Sequence, residues 1–236
     1  MSTGTLYLIP VPLGATSCEA VLPTPVLETV HSLTHFVAEN AKSARAFLKI
    51  AKTPHALQTI AIEELNEHTP PQALQQLLAP LLTGHHVGLI SEAGCPAVAD
   101  PGAGLVALAH AHKITVIPLV GPSSLLLALM ASGLGGQHFA FHGYLPAQTE
   151  QRLKQLRALE KISSQEKQTQ LFIETPYRNK AMLDSLLSAC QPGTQLCLAT
   201  DLTLPSEKIV TQTIAQWQKA PPPDIDRRPT VFLLLA

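Results

Sequence analysis

The stretch 87–102, V-G-L-I-S-E-A-G-C-P-A-V-A-D-P-G, constrains the fold more than any other part of the chain. Its apolar run stops at Ser91. A loop of glycine, proline and small residues follows, carrying two carboxylates, Glu92 and Asp100, and a helical pattern begins after Gly104. A strand that opens into a small-residue loop and then a helix is how an α/β domain builds a ligand site at the carboxyl end of a strand. Small side chains let a ligand lie against the backbone, whose N–H and C=O groups can then bond it directly.

The same alternation runs along the whole chain. Residues 5–11 (T-L-Y-L-I-P-V) are apolar and β-rich, and they end at Pro12-Leu13-Gly14: a buried first strand entering a tight loop. T-H-F-V-A at 34–38 reads as a second strand and 57–62 as a third, whereas 28–35 shows no clear pattern. Residues 42–52 have helical spacing, with Ala44, Phe47, Leu48 and Ala51 on one face. The spacing predicts a helix over 71–82. Pro71 stands near its start, Leu74, Leu77, Leu78 and Leu81 share a face, Pro80 kinks or shortens its last turn, and Gly84 stops it. A helix over 105–112 and a strand over 115–119 follow. Strands alternating with helices imply parallel βαβ units.

After Leu119 the pattern restarts. It predicts a helix over 122–132 with Ser123 and Ser124 in its first turn, a strand over 139–144, a charged helix over 150–165, and a strand over 170–174. A helix over 180–190, a strand over 195–201, a strand-to-helix passage over 209–218 and a closing strand over 230–235 complete it. The expected fold class is therefore α/β in two α/β domains. Residues 1–119 carry a mainly parallel sheet and 120–236 a mixed one.

Composition narrows the function classes. Hydrophobic residues make up 46% of the 236 and charged ones 14%, which favours a buried core over disorder. No apolar run approaches the ~20 residues that span a bilayer; the longest, 119–134, is broken by Gly121-Pro122 and by serines. The beginning of the sequence lacks a basic segment followed by an apolar core, so a cytoplasmic protein without membrane contact is expected. The four cysteines form no C-x-x-C pair, and the ten histidines are scattered, with His85-His86 in a turn beside Gly84. Reduced thiols, solvated histidines and no metal are the expectation. The net charge of −1 argues against a strongly basic nucleic-acid binder, although local patches can serve that purpose.

Four small-residue loops stand at strand ends: 10–14, 91–102, 120–124 and 174–178. In a doubly wound sheet such loops gather on one edge and form one candidate cleft. No G-x-G-x-x-G opens the first helix, no G-x-x-x-x-G-K-[S/T] occurs, and prolines at 10 and 12 remove amide donors that a phosphate loop needs. Dinucleotide and nucleoside-triphosphate binding are disfavoured, and no G-x-S-x-G elbow is present. Glu39-Asn40 follows the second strand, with Lys42 and Arg45 behind; these residues point into the cleft, or Asn40 caps a helix among solvated charges. Tyr177 and Arg178 can hold a base or a phosphate, or Pro176 merely starts a helix there. Asp201 and Glu207 flank a further strand end, as chemistry or as a capped, charged loop.

Six segments occur in order: G-T-L-Y-L-I-P-V-P-L-G, S-E-A-G-C-P-A-V-A-D-P-G, P-L-V-G-P-S-S, F-H-G-Y-L-P, E-T-P-Y-R and D-L-T-L-P-S-E-K. Together they resemble the tetrapyrrole-methylase (class III) superfamily of S-adenosylmethionine-dependent methyltransferases. Within it they resemble the branch that holds the ribosomal-RNA small-subunit 2′-O-ribose methyltransferases, as a shorter sister group. The resemblance implies a cofactor cleft between the two domains and a homodimer. For S-adenosylmethionine it implies contacts from Pro12, Gly14, Glu92, Ala93, Gly94, Cys95, Val98, Asp100, Ser123 and Ser124, and from Tyr144, Pro146, Pro229 and Thr230 in the second domain. Where that branch carries A-E-D-T-R after the second strand, this chain reads A-E-N-A-K, with Arg45 further on.

Methyl transfer from a sulfonium asks the protein for in-line alignment and exclusion of water. For a ribose hydroxyl as acceptor, Glu39 or Asp201 is expected as the base. Arg45 is the third expected catalytic residue, anchoring phosphate, and Asn40, Lys42, Tyr177 and Arg178 are the expected substrate contacts. A small, tetrapyrrole-like acceptor and a non-catalytic module that binds the cofactor are the alternative readings.

Overall fold

The computed structural model describes residues 3–66, 68–70 and 72–236, so Pro71, expected at a helix start, lies outside the described residues. The chain divides into two compact units, one up to Ser123 and the other Ser124–Ala236. The pattern of the sequence put the division at 119/120. Among the described residues no helix is long and apolar enough to cross a membrane.

The first unit runs β1 (Thr5–Ile9), α1 (Cys18–Val21), α2 (Thr24–Ser32), β2 (His35–Ala38), α3 (Ala41–Ile50), β3 (Ala61–Glu64), α4 (Ala73–Leu82), β4 (Val87–Ile90), α5 (Ala103–Ala111) and β5 (Thr115–Pro118). All its strand pairs are parallel, in the order β3-β2-β4-β1-β5. Alternate strand residues feed two cores: Ile9, Phe36 and Ile90 pack with α1, α2 and α3, while Leu6, Val37, Val87 and Leu89 pack with α4 and α5. A sheet buried on both faces explains why its strands read as continuous apolar runs rather than alternating ones.

Two expectations shift here. The third strand is 61–64, not 57–62: Ile60 is buried in the core just ahead of the strand, and the pairing begins at Ala61 against His35. The unclear stretch is α2, which starts at the Thr24-Pro25 pair and buries Val26 and Val30; β-branched residues hid its helical character. Pro80 neither ends α4 nor is left out of it. It lies in the last turn, and its own carbonyl accepts from the amides of Thr83 and His85 just beyond the helix. His85 and His86 are not simply solvated. The His86 ring accepts from the Thr5 amide at 2.9 Å, and the His35 and His85 rings stack 4.7 Å apart at the amino edge of the sheet.

The second unit runs α6 (Ser124–Ser132), β6 (Phe139–Tyr144), α7 (Thr149–Glu166), β7 (Thr169–Ile173), a 3-10 turn (Pro176–Arg178), α8 (Asn179–Ala189), β8 (Gln195–Thr200), β9 (Lys208–Thr213), α9 (Ile214–Lys219) and β10 (Thr230–Leu235). Its sheet is mixed, in the order β6-β7-β10-β8-β9: β6 is parallel to β7 and the other pairs are antiparallel. Phe172 and Phe232 face each other across β7 and β10 with ring centroids 5.8 Å apart, a cross-strand pair that contributes ~0.5–1.5 kcal/mol beyond area burial. Thr213 and Gln216 form a reciprocal capping box at α9, and Trp217 donates its ring N–H to the Leu196 carbonyl.

Candidate functional site

In the first unit the loops after β1, β4 and β5 leave the carboxyl edge of the sheet side by side. Val11 and Gly94 exchange both backbone hydrogen bonds, at 2.9 and 3.1 Å, which ties the loop after β1 to the loop after β4. The Cys95 thiol reaches the Pro122 carbonyl at 3.5 Å, which ties in the loop before α6. A Cβ at Gly121 would stand 2.5 Å from the Cβ and 2.9 Å from the Cγ of Pro10, so only glycine permits this approach. The chain leaves β2 toward β3 and leaves β4 toward β5, in opposite directions along the sheet. Their carboxyl ends therefore bound the crevice in which open α/β sheets bind ligands.

The loop 91–102 is unusual in its backbone. Gly94, Ala97, Ala99 and Gly102 all have positive φ, at +73°, +64°, +61° and +136°. For alanine this conformation costs roughly 1–2 kcal/mol per residue, and such residues persist where the surroundings over-determine them, typically at ligand sites. Left-handed residues are also the means by which backbone N–H groups are turned into a concavity for a polar ligand. Ala93, Val98 and Glu92 are exposed, Cys95 and Asp100 half-buried, and Pro12 and Gly94 buried. Burial pushes the Asp100 carboxyl above the usual carboxylate range, opposed by the Ser91 hydroxyl and reinforced by Glu92. Burial also raises the Cys95 thiol, which keeps it protonated.

An acid whose folded value is raised favours the fold at low pH and costs stability once pH rises through that value. Asp100→Asn should therefore raise Tm of the unliganded protein at pH 7, with the gain vanishing as pH is lowered toward 4. Affinity for the polar ligand of this loop should fall on the order of tenfold, the size of one charge-assisted hydrogen bond. Thermal melts across pH, beside calorimetric titration, check both.

After β2, Glu39 is half-buried and has a polar partner. Asn40 is the N-cap of α3: its Oδ1 accepts from the amides of Lys42 (2.8 Å) and Ser43 (3.4 Å). Glu64, at the end of β3, accepts from the Ala41 amide at 2.9 Å. The positive end of α3 thus already holds a carboxylate, which corrects the expectation that Asn40 faces a substrate. Arg45 lies along its own helix, its Nη1 donating to the Ala41 carbonyl at 3.3 Å. The Lys42 side chain is exposed.

In the second unit Tyr144, Glu174, Asp201 and Thr230 sit at one edge of the mixed sheet, as the register of β6, β7, β8 and β10 requires. Asp201 has φ +52° and is 8% exposed. It accepts from Ser206 Oγ at 2.6 Å and from Arg228 Nε at 2.9 Å. Burial acts to raise its carboxyl, but Ser206 and Arg228 outweigh it and hold it below the usual range. A carboxylate so held is a poor proton acceptor, which corrects the expectation of Asp201 as a base. An acid lowered in the folded state stabilises above its unfolded value, about 3.9, and that contribution disappears as pH falls through the lower folded value. Asp201→Asn should consequently flatten the acid limb of the pH–stability curve, as read by denaturant titrations between pH 2 and 6.

Arg178 is also committed. Its Nε (2.9 Å) and Nη2 (2.5 Å) both donate to Oε1 of the buried Glu174. Tyr177, beside it, is 70% exposed. Tyr144 is exposed and Pro146 half-buried, in a turn whose carbonyls at 146 and 147 accept from Arg152. The Pro229 carbonyl accepts from the Asp201 amide, and Thr230 is buried. Ser123 and Ser124, half-buried, straddle the division between the units.

Sequence reasoning passed over Glu64, Arg152, Asn179 and Arg228. Arg152 was legible: it stands four and seven residues before Leu156 and Leu159, on the apolar face of α7. Asn179, fully buried, donates to the carbonyls of Ile225 and Arg228 and so holds the loop before β10; nothing in its local pattern announces that. Among the described residues no group of three or more His, Cys, Asp or Glu could hold a metal ion. All four cysteines are free, and burial, with Glu160 nearby, pushes the Cys190 thiol up to about 12.

No family model matches the chain. It is 34% identical over 209 residues to the ribosomal RNA small subunit methyltransferase I of Mesorhizobium japonicum, a match that takes in 89% of this chain and 67% of that protein. Among solved structures it is similar to the methyltransferase CobJ, with a TM-score of 0.65, 19% identity, and coverage of 99% of this chain and 94% of the other. It is also similar to uroporphyrin-III C-methyltransferase from Thermus thermophilus complexed with S-adenosyl homocysteine, with a TM-score of 0.58, 16% identity, and coverage of 98% and 97%. At these identities the structural likeness speaks for the fold.

Proposed function

The chain belongs to the ribosomal RNA small subunit methyltransferase I family and is an S-adenosylmethionine-dependent methyltransferase, and from that premise we propose that its acceptor is a ribose 2′-hydroxyl of small-subunit ribosomal RNA. The observation that carries the site is the three-loop carboxyl edge of the first unit, with its left-handed Gly94, Ala97, Ala99 and Gly102. Its donor set suits the cofactor. Exposed small residues admit a nucleoside to the backbone, and Glu92 and Asp100 answer the positive charges of a sulfonium and an α-ammonium. Bound S-adenosylmethionine supplies an electrophilic methyl group.

Pro12, Gly14, Glu92, Ala93, Gly94, Cys95, Val98, Asp100 and Ser123 would hold the cofactor from the first unit. Ser124, Tyr144, Pro146, Pro229 and Thr230 remain further contacts on the resemblance. Glu39, which follows β2 at the same carboxyl edge, is the proposed base that takes the hydroxyl proton. Lys42 and Arg45 would meet the phosphates beside the acceptor, and Tyr177 would stack on a base. Arg178 would present to the RNA what its pairing with Glu174 leaves free. We further propose a cytoplasmic homodimer, supported by Leu126 and Met130, 52% and 79% exposed and one turn apart on α6.

The test supplies tritium-labelled cofactor and small-subunit RNA from cells lacking this protein. The reading expects label in an alkali-resistant 2′-O-methyl dinucleotide, lost with Glu39→Gln while cofactor affinity stays. Label in a tetrapyrrole-like metabolite, or binding with no transfer at all, would replace it with one of the two alternative readings.

A further inference from the structure

The charge of the chain is close to balanced, so an RNA acceptor has to be held by local cationic ground. Outside the edges already described, one hollow of about 460 Å³ opens in the second unit between α7, the turn before β8 and the end of β10. Because β8 begins and β10 ends there, it lies at the sheet edge opposite Tyr144, Glu174 and Thr230. Arg157, Glu160, Lys161 and Gln165 line it from one face of α7, and Gln191 and Gly193 from the turn.

The hollow is built rather than incidental. Glu160 is buried, and its Oε1 accepts from the Gln191 amide and the Thr194 hydroxyl, which pins the turn to the helix. That carboxylate is thereby spent on the scaffold. Arg157 and Lys161 are one turn apart and exposed, and among the described residues neither has an acidic partner within ion-pair distance. Like charges four apart on a helix repel, which a bound anion would relieve. Nothing lies within 4 Å of where a Gly193 side chain would begin, so the turn is open to an incoming group. Two free cations beside amide side chains at an open turn suit a phosphodiester: charge from the pair, hydrogen bonds from Gln165 and Gln191.

We infer that this hollow is a second anchoring site for the RNA acceptor, taking backbone phosphate through Arg157 and Lys161. It rests on the ribosomal-RNA reading above. The test compares the wild-type chain, the doubly substituted Arg157→Gln/Lys161→Gln chain, and a control with Lys113→Gln/Lys219→Gln, two cations outside the hollow. The probe is purified small-subunit ribosomal RNA, titrated between 50 and 300 mM salt, with S-adenosylhomocysteine affinity measured alongside.

Each phosphate contact contributes roughly 0.7–0.9 to the slope of log affinity against log salt. The hollow variant should bind about tenfold more weakly at low salt with a slope smaller by about 1.5, while its cofactor affinity and the control chain stay as in the wild type. A hollow variant that binds as the wild type does, or a control that loses as much, overturns the inference alone. A wild-type chain without salt-dependent RNA binding overturns the RNA reading and the inference together.

Discussion

Gly121→Ala should abolish most cofactor binding while leaving the chain folded. The added methyl would stand 2.5 Å from Pro10 Cβ and 3.0 Å from Leu22 Cδ2. A proline ring cannot rotate away, so the relief must come from separation of the β1 and β5 loops. Overpacking of this kind costs roughly 1–3 kcal/mol of stability. The larger consequence is positional: Pro12, Gly14, Gly94 and Ser123 all hang on the spacing of these loops, and misplacement of a built site by about 1 Å costs on the order of a hundredfold. Titration calorimetry with S-adenosylhomocysteine reads it. Gly136→Ala, whose methyl would make only ordinary contact with Leu129 at 3.8 Å, is the matched control and should bind normally.

Arg152→Met should produce the largest loss of stability in the second unit. Arg152 is 4% exposed and, among the described residues, has no carboxylate within ion-pair distance; its guanidinium donates to Ser185 Oγ, the carbonyls of Pro146 and Ala147, and Thr149 Oγ1. The methionine roughly matches its apolar stem but makes none of these bonds, so the buried Ser185 oxygen loses its donor and the turn at 146–149 loses its anchor, at a cost of about 3 kcal/mol. For a unit of this size that corresponds to roughly 10 °C or more in Tm. Lysine should not rescue it, because a single ammonium cannot span the fork of acceptors that the planar guanidinium meets. A melting curve within 2 °C of the wild type would show that Arg152 does not organise the turn after β6.

How legible all this was in the sequence depended on the kind of signal. Strands β6 and β10 were read to the residue, because an apolar run bounded by turn residues fixes both ends. The parallel sheet followed from alternation alone. The third strand was misplaced because Leu57 and Ile60 are apolar for the sake of the core, not of pairing. At the site, the loop 91–102 announced itself through its small residues, and the structure adds the reason: left-handed turns that two of its positions adopt without glycine.

Side-chain roles were less accessible. The sequence left Asn40 as cap or substrate contact and Asp201 as base or loop residue. Their partners decide it: Asn40 caps the amides of Lys42 and Ser43, two and three residues on, whereas Arg228, which holds Asp201, stands 27 residues away. A carboxylate's chemistry is set by what lies beside it in space, and one-dimensional spacing does not carry that. Glu39 keeps its place as the proposed base because it follows β2 at the crevice edge, where no listing of neighbours in sequence could have separated it from Asn40.

Hydrogen exchange with and without saturating S-adenosylhomocysteine tests the central claim most directly. Three strand-end loops holding the cofactor predict slowed exchange in 11, 13–16, 91–100 and 120–124, with helices α4 and α8 unchanged. Saturation without protection in these loops, or protection confined to other segments, would contradict it.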